Sequence, residues 1–282
     1  TLAREPGGVV IRRDRDFFGT LRVLYDRDAN AHRLLQGSTL HGQQSLDPAR
    51  RAEPSTYFTR TGPIGQIFEV FREQAAIGSG RPAHVGIVGL GAGTLASYAR
   101  EGDAWTFYEI DPAVETIAED TRYFTYLADA RARGATIDSR LGDARIRLRD
   151  ADDSRDRLLV LDAFSSDAVP VHLLTREAIR LYLSKIEDDG MLVFNISNRY
   201  LDLEPLMALQ AGDAGLVCRI RRDLTPTEAE RKDGKQPSIW AVMARKEADL
   251  GSIASDSRWF MPRPRAGARV WTDDQSDLAS YL

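Results

Sequence analysis

The chain has a single cysteine, Cys218, among 282 residues. No internal disulfide can form, as expected of a protein kept in a reducing compartment. Histidine is scarce too: His32, His41, His84 and His172 are scattered, with no H-x-x-x-H or C-x-x-C spacing, so no metal site is expected. No basic block occurs and the net charge is -4, which argues against a nucleic-acid partner and fits a cationic small substrate. No apolar stretch reaches the ~20 residues that a membrane-spanning helix needs, and there is no signal peptide. The first residue is Thr1 rather than methionine, so the expectation is a piece of something longer. What remains is an ordinary globular composition, 43% hydrophobic, enough for a sizeable core.

The most informative stretch is residues 85–111, VGIVGLGAGTLASYAREGDAWTFYEID. It reads as strand, glycine turn, helix, strand, acid. Glycines let a backbone turn sharply and approach a ligand closely. An acid about 20 residues further on sits where a ribose hydroxyl pair is held. Such a site takes an adenosine-containing cofactor. A dinucleotide fingerprint is G-x-G-x-x-G. Here Gly89, Gly91 and Gly93 follow a G-x-G-x-G spacing, and Thr94 fills the position of the expected third glycine. That spacing resembles the S-adenosylmethionine-binding fold, whose ligand has no phosphate.

Residues 1–61 read as a small antiparallel β lobe: alternating segments at 8–13 and 18–25, a turn at 26–30, a third strand at 31–35, then a polar loop at 45–56. Residues 62–250 read as the main domain. A helix over 62–74 places Ile64, Ile67, Phe68 and Phe71 on one face. Strands at 84–89, 104–110, 135–140, 157–163, 190–196, 215–221 and 238–245 alternate with helices near 93–101, 112–120, 143–149, 170–185 and 203–212. This rhythm predicts an α/β, Rossmann-like fold with a mostly parallel sheet and helices on both faces. The polar run 223–237 is expected to be a hairpin tip or a lid. Residues 251–282 form a C-terminal tail.

Open α/β sheets bind ligands at the carboxyl ends of their strands. The candidates there are Gly89, Gly91 and Gly93; Glu109, Ile110 and Asp111; Asp143 and Ala144 after Gly142; Asp162 to Asp167; and the run Asn195 to Asn198. Asp143 and Asp167 also suit helix caps, and Asn198 suits a turn. Asp162 ends an apolar strand, where an ionised carboxylate is costly without a partner, and this marks it as a site residue.

These residues resemble the spermidine synthase family, the polyamine aminopropyltransferases, over about residues 18–245. Gly37, Gln43 and Tyr57 look like three lobe residues that face the family's site. The family's G-G-G-D-G is matched by Gly89 to Gly93 after Ile87 and Val88, its E-I-D by Glu109-Ile110-Asp111, its G-D by Gly142-Asp143, and its D-x-x-D, more widely spaced here, by Asp162 and Asp167. The stretches Gly37 to Gln43, Asp162 to Pro170 and Trp271 to Asp274 are similar to a bacterial branch often fused behind a membrane segment. Ala92 departs from the family aspartate that helps hold the propylamine end, and Phe58 and Thr59 from groups that face the amine acceptor.

The resemblance implies transfer of an aminopropyl group from decarboxylated S-adenosylmethionine to a polyamine or other small amine, without a metal. Asp162 is then the general base, assisted by Tyr57. Gln43, Gly89, Gly91, Gly93, Glu109, Ile110, Asp143, Ala144 and Asp162 hold the cofactor, and Tyr57 and Asp167 the amine. Asp273 and Asp274 are expected either to fold back over the amine or to be surface charges in a frayed tail. A homodimer in the cytoplasm, or on the cytoplasmic side of a membrane-attached parent, is expected. Two alternatives stay open: a methyltransferase using intact S-adenosylmethionine, with Ala92 leaving room for the longer tail, and a non-catalytic adenosyl-ligand sensor.

Overall fold

The computed structural model describes residues 4–5, 8–77, 83–164, 170–198, 201–278 and 281. Asp167 lies outside them. The N-terminal lobe is an antiparallel sheet in sequence order: β1 (Arg4–Glu5), β2 (Gly8–Asp16), β3 (Gly19–Asp26), β4 (Ala31–Gln36) and β5 (Thr39–Ser45). Its apolar face carries Leu21, Val23 and Leu34 into the core shared with the main domain. Between β4 and β5 the register slips. Leu34 pairs with Gly42 and Leu35 with Leu40, leaving His41 as the extra residue of a bulge.

After α1 (Pro63–Ile77) come β6 (His84–Val88), β7 (Ala104–Glu109), α2 (Pro112–Glu119), α3 (Tyr126–Ala132), β8 (Thr136–Leu141), α4 (Ala144–Arg149) and β9 (Asp156–Leu161). Then follow α5 (Arg176–Lys185), β10 (Ile186–Asn195), α6 (Glu204–Ala214), β11 (Val217–Asp223), α7 (Glu228–Lys232) and β12 (Ser238–Ala244). The second sheet has the order β11-β12-β10-β9-β6-β7-β8. Its members from β10 to β8 run parallel, and β12 lies antiparallel to both β10 and β11. The expected Rossmann-like architecture is therefore present. Leu158, Leu159, Val160 and Leu161 of β9 are all buried, as a parallel strand covered on both faces requires. The predicted apolar face of α1 is buried likewise.

Three local differences have physical causes. The helix expected over 93–101 is only a 3-10 turn, Thr94–Tyr98. Arginines from elsewhere take its end carbonyls: Arg133 donates to Ala96 O (3.0 Å) and Arg72 to Tyr98 O (2.9 Å). The helix expected over 170–185 breaks at Thr175, whose side chain caps α5. Within the polar run 223–237 sits α7, closed by a capping box between Thr227 and Glu230. This run is the tip of the β11–β12 hairpin.

The lobe is fastened to the main domain through polar groups. Gln44 is buried; its amide donates to Thr125 Oγ1 (2.9 Å) and accepts from the Thr125 N–H (2.8 Å). The Tyr126 hydroxyl donates to the Gln43 carbonyl at 2.9 Å. Among the described residues, no helix is long and apolar enough to cross a membrane.

Candidate functional site

In sequence order the sheet starts at β6, steps outward through β7 and β8, then returns to β9 on the other side of β6. The chain reverses direction between β6 and β9, where such sheets open a crevice. A cleft of about 380 Å³ lies there, lined by Gly89, Gly91, Glu109, Ile110, Asp143, Ala144, Asp162 and Tyr57 among others. Eight of the residues expected at the site thus come together.

Gly89 and Gly91 make the floor. At Gly89 (φ +98°) a Cβ would lie 2.5 Å from the Asp162 carbonyl, and at Gly91 (φ +53°) 2.4 Å from the His41 carbonyl. Only glycine fits either position. Beside them Glu109 is buried, with the Leu90 N–H donating to Oε2 and the Asp111 N–H to Oε1, each at 2.9 Å. Burial raises its pKa, and the N–H groups oppose this by favouring the charged form. Each oxygen keeps a further lone pair for a diol. Asp111 caps α2 through Oδ1, while its Oδ2 is buried without a hydrogen-bond partner. Burial first, then the neighbouring Asp16 carboxyl, pushes Asp111 up to about 6. Ile110 is 49% exposed inside the cleft, an apolar surface offered to a flat ring. Asp143 both caps α4 (3.1 Å to the Ile146 N–H) and faces the cleft, with His172 Nε2 3.4 Å away.

Asp162 sits where this cleft meets a second one of about 310 Å³, lined by Ser38, Thr39, Leu40, His41, Tyr57, Phe164, Asn195, Ser197 and Pro237. The Asn195 amide donates to Asp162 Oδ1 at 2.7 Å. Its own oxygen accepts from the Ser197 N–H (3.1 Å) and hydroxyl (2.6 Å), so its NH₂ must face the carboxylate. Ser197 Oγ in turn accepts from the Ile239 N–H at 2.9 Å. Burial pushes Asp162 up to about 8, partly opposed by the Asn195 hydrogen bond. The Tyr57 hydroxyl is held well above its usual value by burial and by Asp162 beside it.

Several expectations change. Gln43 does not line either cleft: it is buried, and its side-chain oxygen accepts from Arg33 Nε at 2.7 Å. The bulge at His41 is the reason, because an extra residue re-aims the side chains around it. His41 lines both clefts instead. Gly93 packs on Leu127 rather than lining the cleft, and Gly37 lies in the β4–β5 turn. Ala92 lines neither cleft. It is buried beneath Gly42, whose added Cβ would fall 2.5 Å from the Ala92 Cβ. Phe58 is buried in the core, and Thr59 lines neither cleft.

Asp273 is neither over the amine side nor in a frayed tail. It makes a two-point ion pair with Arg145 (2.7 Å each) and accepts from the Thr175 hydroxyl (2.7 Å), and it lines neither cleft. Asp274 is exposed and lines neither cleft. Cleft residues that the sequence does not single out are His41, His172 and the adjacent Phe17 and Phe18 of the β2–β3 turn, while Phe164 falls within the run Asp162 to Asp167. Asn195 and Ser197 stand out in the sequence only as a polar strand end, and that position is the available signal.

These features define an α/β Rossmann-like protein with an N-terminal antiparallel sheet and a cleft suited to an adenosyl ligand. No family model matches the chain. Among curated proteins, a polyamine aminopropyltransferase of Vibrio vulnificus (strain CMCP6) is 33% identical over 120 residues, 41% of this chain and 38% of that protein. The match thus spans well under half of that relative's length. Among solved structures, a probable spermidine synthase from Corynebacterium glutamicum ATCC 13032 superposes with a TM-score of 0.65 at 14% identity, covering 95% of this chain and 98% of that one. A spermidine synthase in complex with the transition state analogue AdoDATO gives 0.55 at 11% identity over 94% and 81%. The structural likenesses establish the shared fold. Together with the 120-residue match, they bear out the resemblance to the spermidine synthase family read in the motifs.

Proposed function

We propose that the chain is an aminopropyltransferase that uses decarboxylated S-adenosylmethionine and a primary amine. The observation that carries this reading is Asp162, set between an adenosine-shaped cleft and a second cleft, oriented by Asn195 and flanked by Tyr57. The residues fit the group: glycines cradle it, Glu109 and the unpartnered Asp111 oxygen suit a ribose, and Ile110 suits an adenine. When bound, the cofactor supplies a methylene carbon made electrophilic by its sulfonium.

The amine arrives as an ammonium, since such groups titrate near ~10.4. Asp162, as carboxylate, takes one proton from it. The freed nitrogen lone pair forms the C–N bond as the C–S bond breaks, and the C–S electron pair returns to sulfur. The products are neutral methylthioadenosine and a secondary ammonium, with the released proton on Asp162. A base that titrates near the working pH is suited to this step. Tyr57, kept protonated by burial, serves as a hydrogen-bond donor at the amine side. The homodimer and cytoplasmic setting implied by the resemblance belong to this reading.

Ala92 is buried and lines neither cleft, so it offers nothing to the longer tail of the methyltransferase alternative, and a purely sensing role leaves the oriented Asp162 without a task. The test is incubation with a panel of primary amines, putrescine included, and either intact or decarboxylated S-adenosylmethionine. Methylthioadenosine release with the decarboxylated form is expected. S-adenosylhomocysteine formation from the intact form would support the methyltransferase instead.

A further inference from the structure

A third cavity, of about 260 Å³, lies apart from the two clefts and, among the described residues, shares no lining residue with either. Four guanidinium groups line it: Arg72 of α1, Arg60 just before that helix, Arg100 just after the Thr94–Tyr98 turn, and Arg133 just beyond α3. The chain as a whole carries a net charge of -4, so this gathering is local. Like charges drawn around one space repel one another, and each needs something to hold it there.

Arg72 makes a two-point ion pair with buried Asp103 and donates to Tyr98 O at 2.9 Å. That pair is neutral. Arg133 is held differently, by the carbonyls of Ala96 (3.0 Å) and Ala99 (3.4 Å). Carbonyls fix the direction of a guanidinium without cancelling its charge. Arg60 lies over the Tyr98 ring, 5.1 Å from its centroid, and pairs with Glu53. Both members of that pair are about half exposed, so it is weak and readily exchanged. The Arg100 N–H donates to Asp103 at 2.8 Å, which sets where its exposed side chain begins. A guanidinium has five N–H donors, and these bonds use only part of them. Glu69, exposed on α1, is the carboxylate set against the four.

A hydroxyl supplies the second observation. Ser97 lines the same cavity and is only 7% exposed, and its Oγ is buried without a hydrogen-bond partner among the described residues. Leaving a buried hydroxyl unmatched is unfavourable. An anion rich in oxygen gives that hydroxyl an acceptor and gives the guanidinium groups a counter-charge. Their planar forks match the oxygens of a phosphate group, which they bind two at a time. The volume admits more than a bare phosphate ion, and the rings of Phe68 and Tyr98 in the wall suit a small organic group attached to it.

We propose that this cavity is a binding site for a phosphate group, borne by a small phosphate monoester or by free phosphate. The site is separate from that of the adenosyl ligand, which has no phosphate, and it does not depend on the aminopropyltransferase reading.

Inorganic phosphate and phenyl phosphate are titrated by calorimetry into the full chain at constant ionic strength, with chloride as the balancing anion. Saturable one-to-one binding is expected. Tighter binding of phenyl phosphate assigns the site to an ester, and tighter binding of phosphate to the free ion. Arg100→Ala and Ser97→Ala should each weaken binding about tenfold, as the loss of a hydrogen bond to a charged group allows. Arg122→Ala removes an exposed guanidinium outside the cavity and should leave binding unchanged. Without phosphate, Ser97→Ala should melt no lower than the parent, because it deletes the unmatched hydroxyl. The absence of saturable binding overturns the proposal, as do parent-like affinities in both Arg100→Ala and Ser97→Ala. An equal loss in Arg122→Ala reveals a general charge effect and overturns it as well.

Discussion

Asp162 holds its charge at a cost to the fold, and replacing it should reveal that cost. In the unfolded chain its carboxyl ionises at the ordinary 3.8; in the folded, ligand-free protein burial delays this to about 8. Between those values the folded state binds the extra proton, so stability is fullest at acid pH and falls as pH rises toward about 8. At about 1.4 kcal/mol per tenfold change in proton affinity, the loss between about pH 5 and pH 9 has a ceiling on the order of 4 kcal/mol. Solvent in the cleft reduces this to roughly 2 kcal/mol or more. Asp162→Asn removes the titrating group, and its Oδ1 can still accept from the Asn195 amide. The variant should therefore melt above the parent by a margin that widens with pH, reaching roughly 5 °C or more near pH 9. Its turnover should fall on the order of 10²-fold or more, as expected for a lost general base. Paired thermal melts across that pH range, without ligand, are the assay. A margin that does not change with pH, or a variant less stable throughout, would refute the burial argument.

Other substitutions probe the remaining parts. Glu109→Gln should weaken methylthioadenosine binding roughly 10-fold or more in calorimetry, because a charge-assisted hydrogen bond is lost; unchanged affinity removes Glu109 from the ribose. Asn195→Ala takes away the donor that lowers the Asp162 pKa, so the rising limb of the kcat/KM–pH profile should move to higher pH while cofactor affinity stays the same; an unmoved limb argues against the positioning role. Gly91→Ala drives a Cβ into the His41 carbonyl at a left-handed φ and should cost about 1–3 kcal/mol in denaturant unfolding. Asp273→Asn should change turnover by less than about fivefold, as the loss of a partly exposed ion pair away from both clefts allows; a hundredfold loss would restore Asp273 to the amine side.

The alternation of strands and helices was legible because burial wrote it directly into the residues. The uninterrupted Leu158 to Leu161 and the four apolar residues along α1 admit little else. The glycine-turn end of the cleft was legible for a related reason: Gly89, Gly91 and Glu109 are demanded by local backbone geometry, which local sequence records. The lobe's contribution was harder to read. Whether His41 or Gln43 lines the cleft depends on a one-residue slip against β4, which no spacing within β5 reveals. The short turn at Thr94–Tyr98 was equally hidden, since the arginines that close it come from α1 and from just beyond α3. The destination of Asp273 depends on Arg145, 128 positions earlier.

The hairpin tip between β11 and β12 has a consequence for when the site can exist. Thr56, next to Tyr57, pairs with Lys235, and its carbonyl accepts from the Gln236 N–H at 3.2 Å. Lys235 is itself buried between Asp223 and Glu230, and Pro237 closes the second cleft. Lys235 and Gln236, which hold Thr56, follow Tyr57 by about 180 residues, some ten seconds or more at ordinary elongation rates. A ribosome-bound chain halted before residue 235 would carry the glycine turn, Glu109 and Asp162, yet Tyr57 would lack its seat. The glycine turn and both carboxylates would then be made well before the seat of Tyr57, and only emergence of the β11–β12 hairpin would join them.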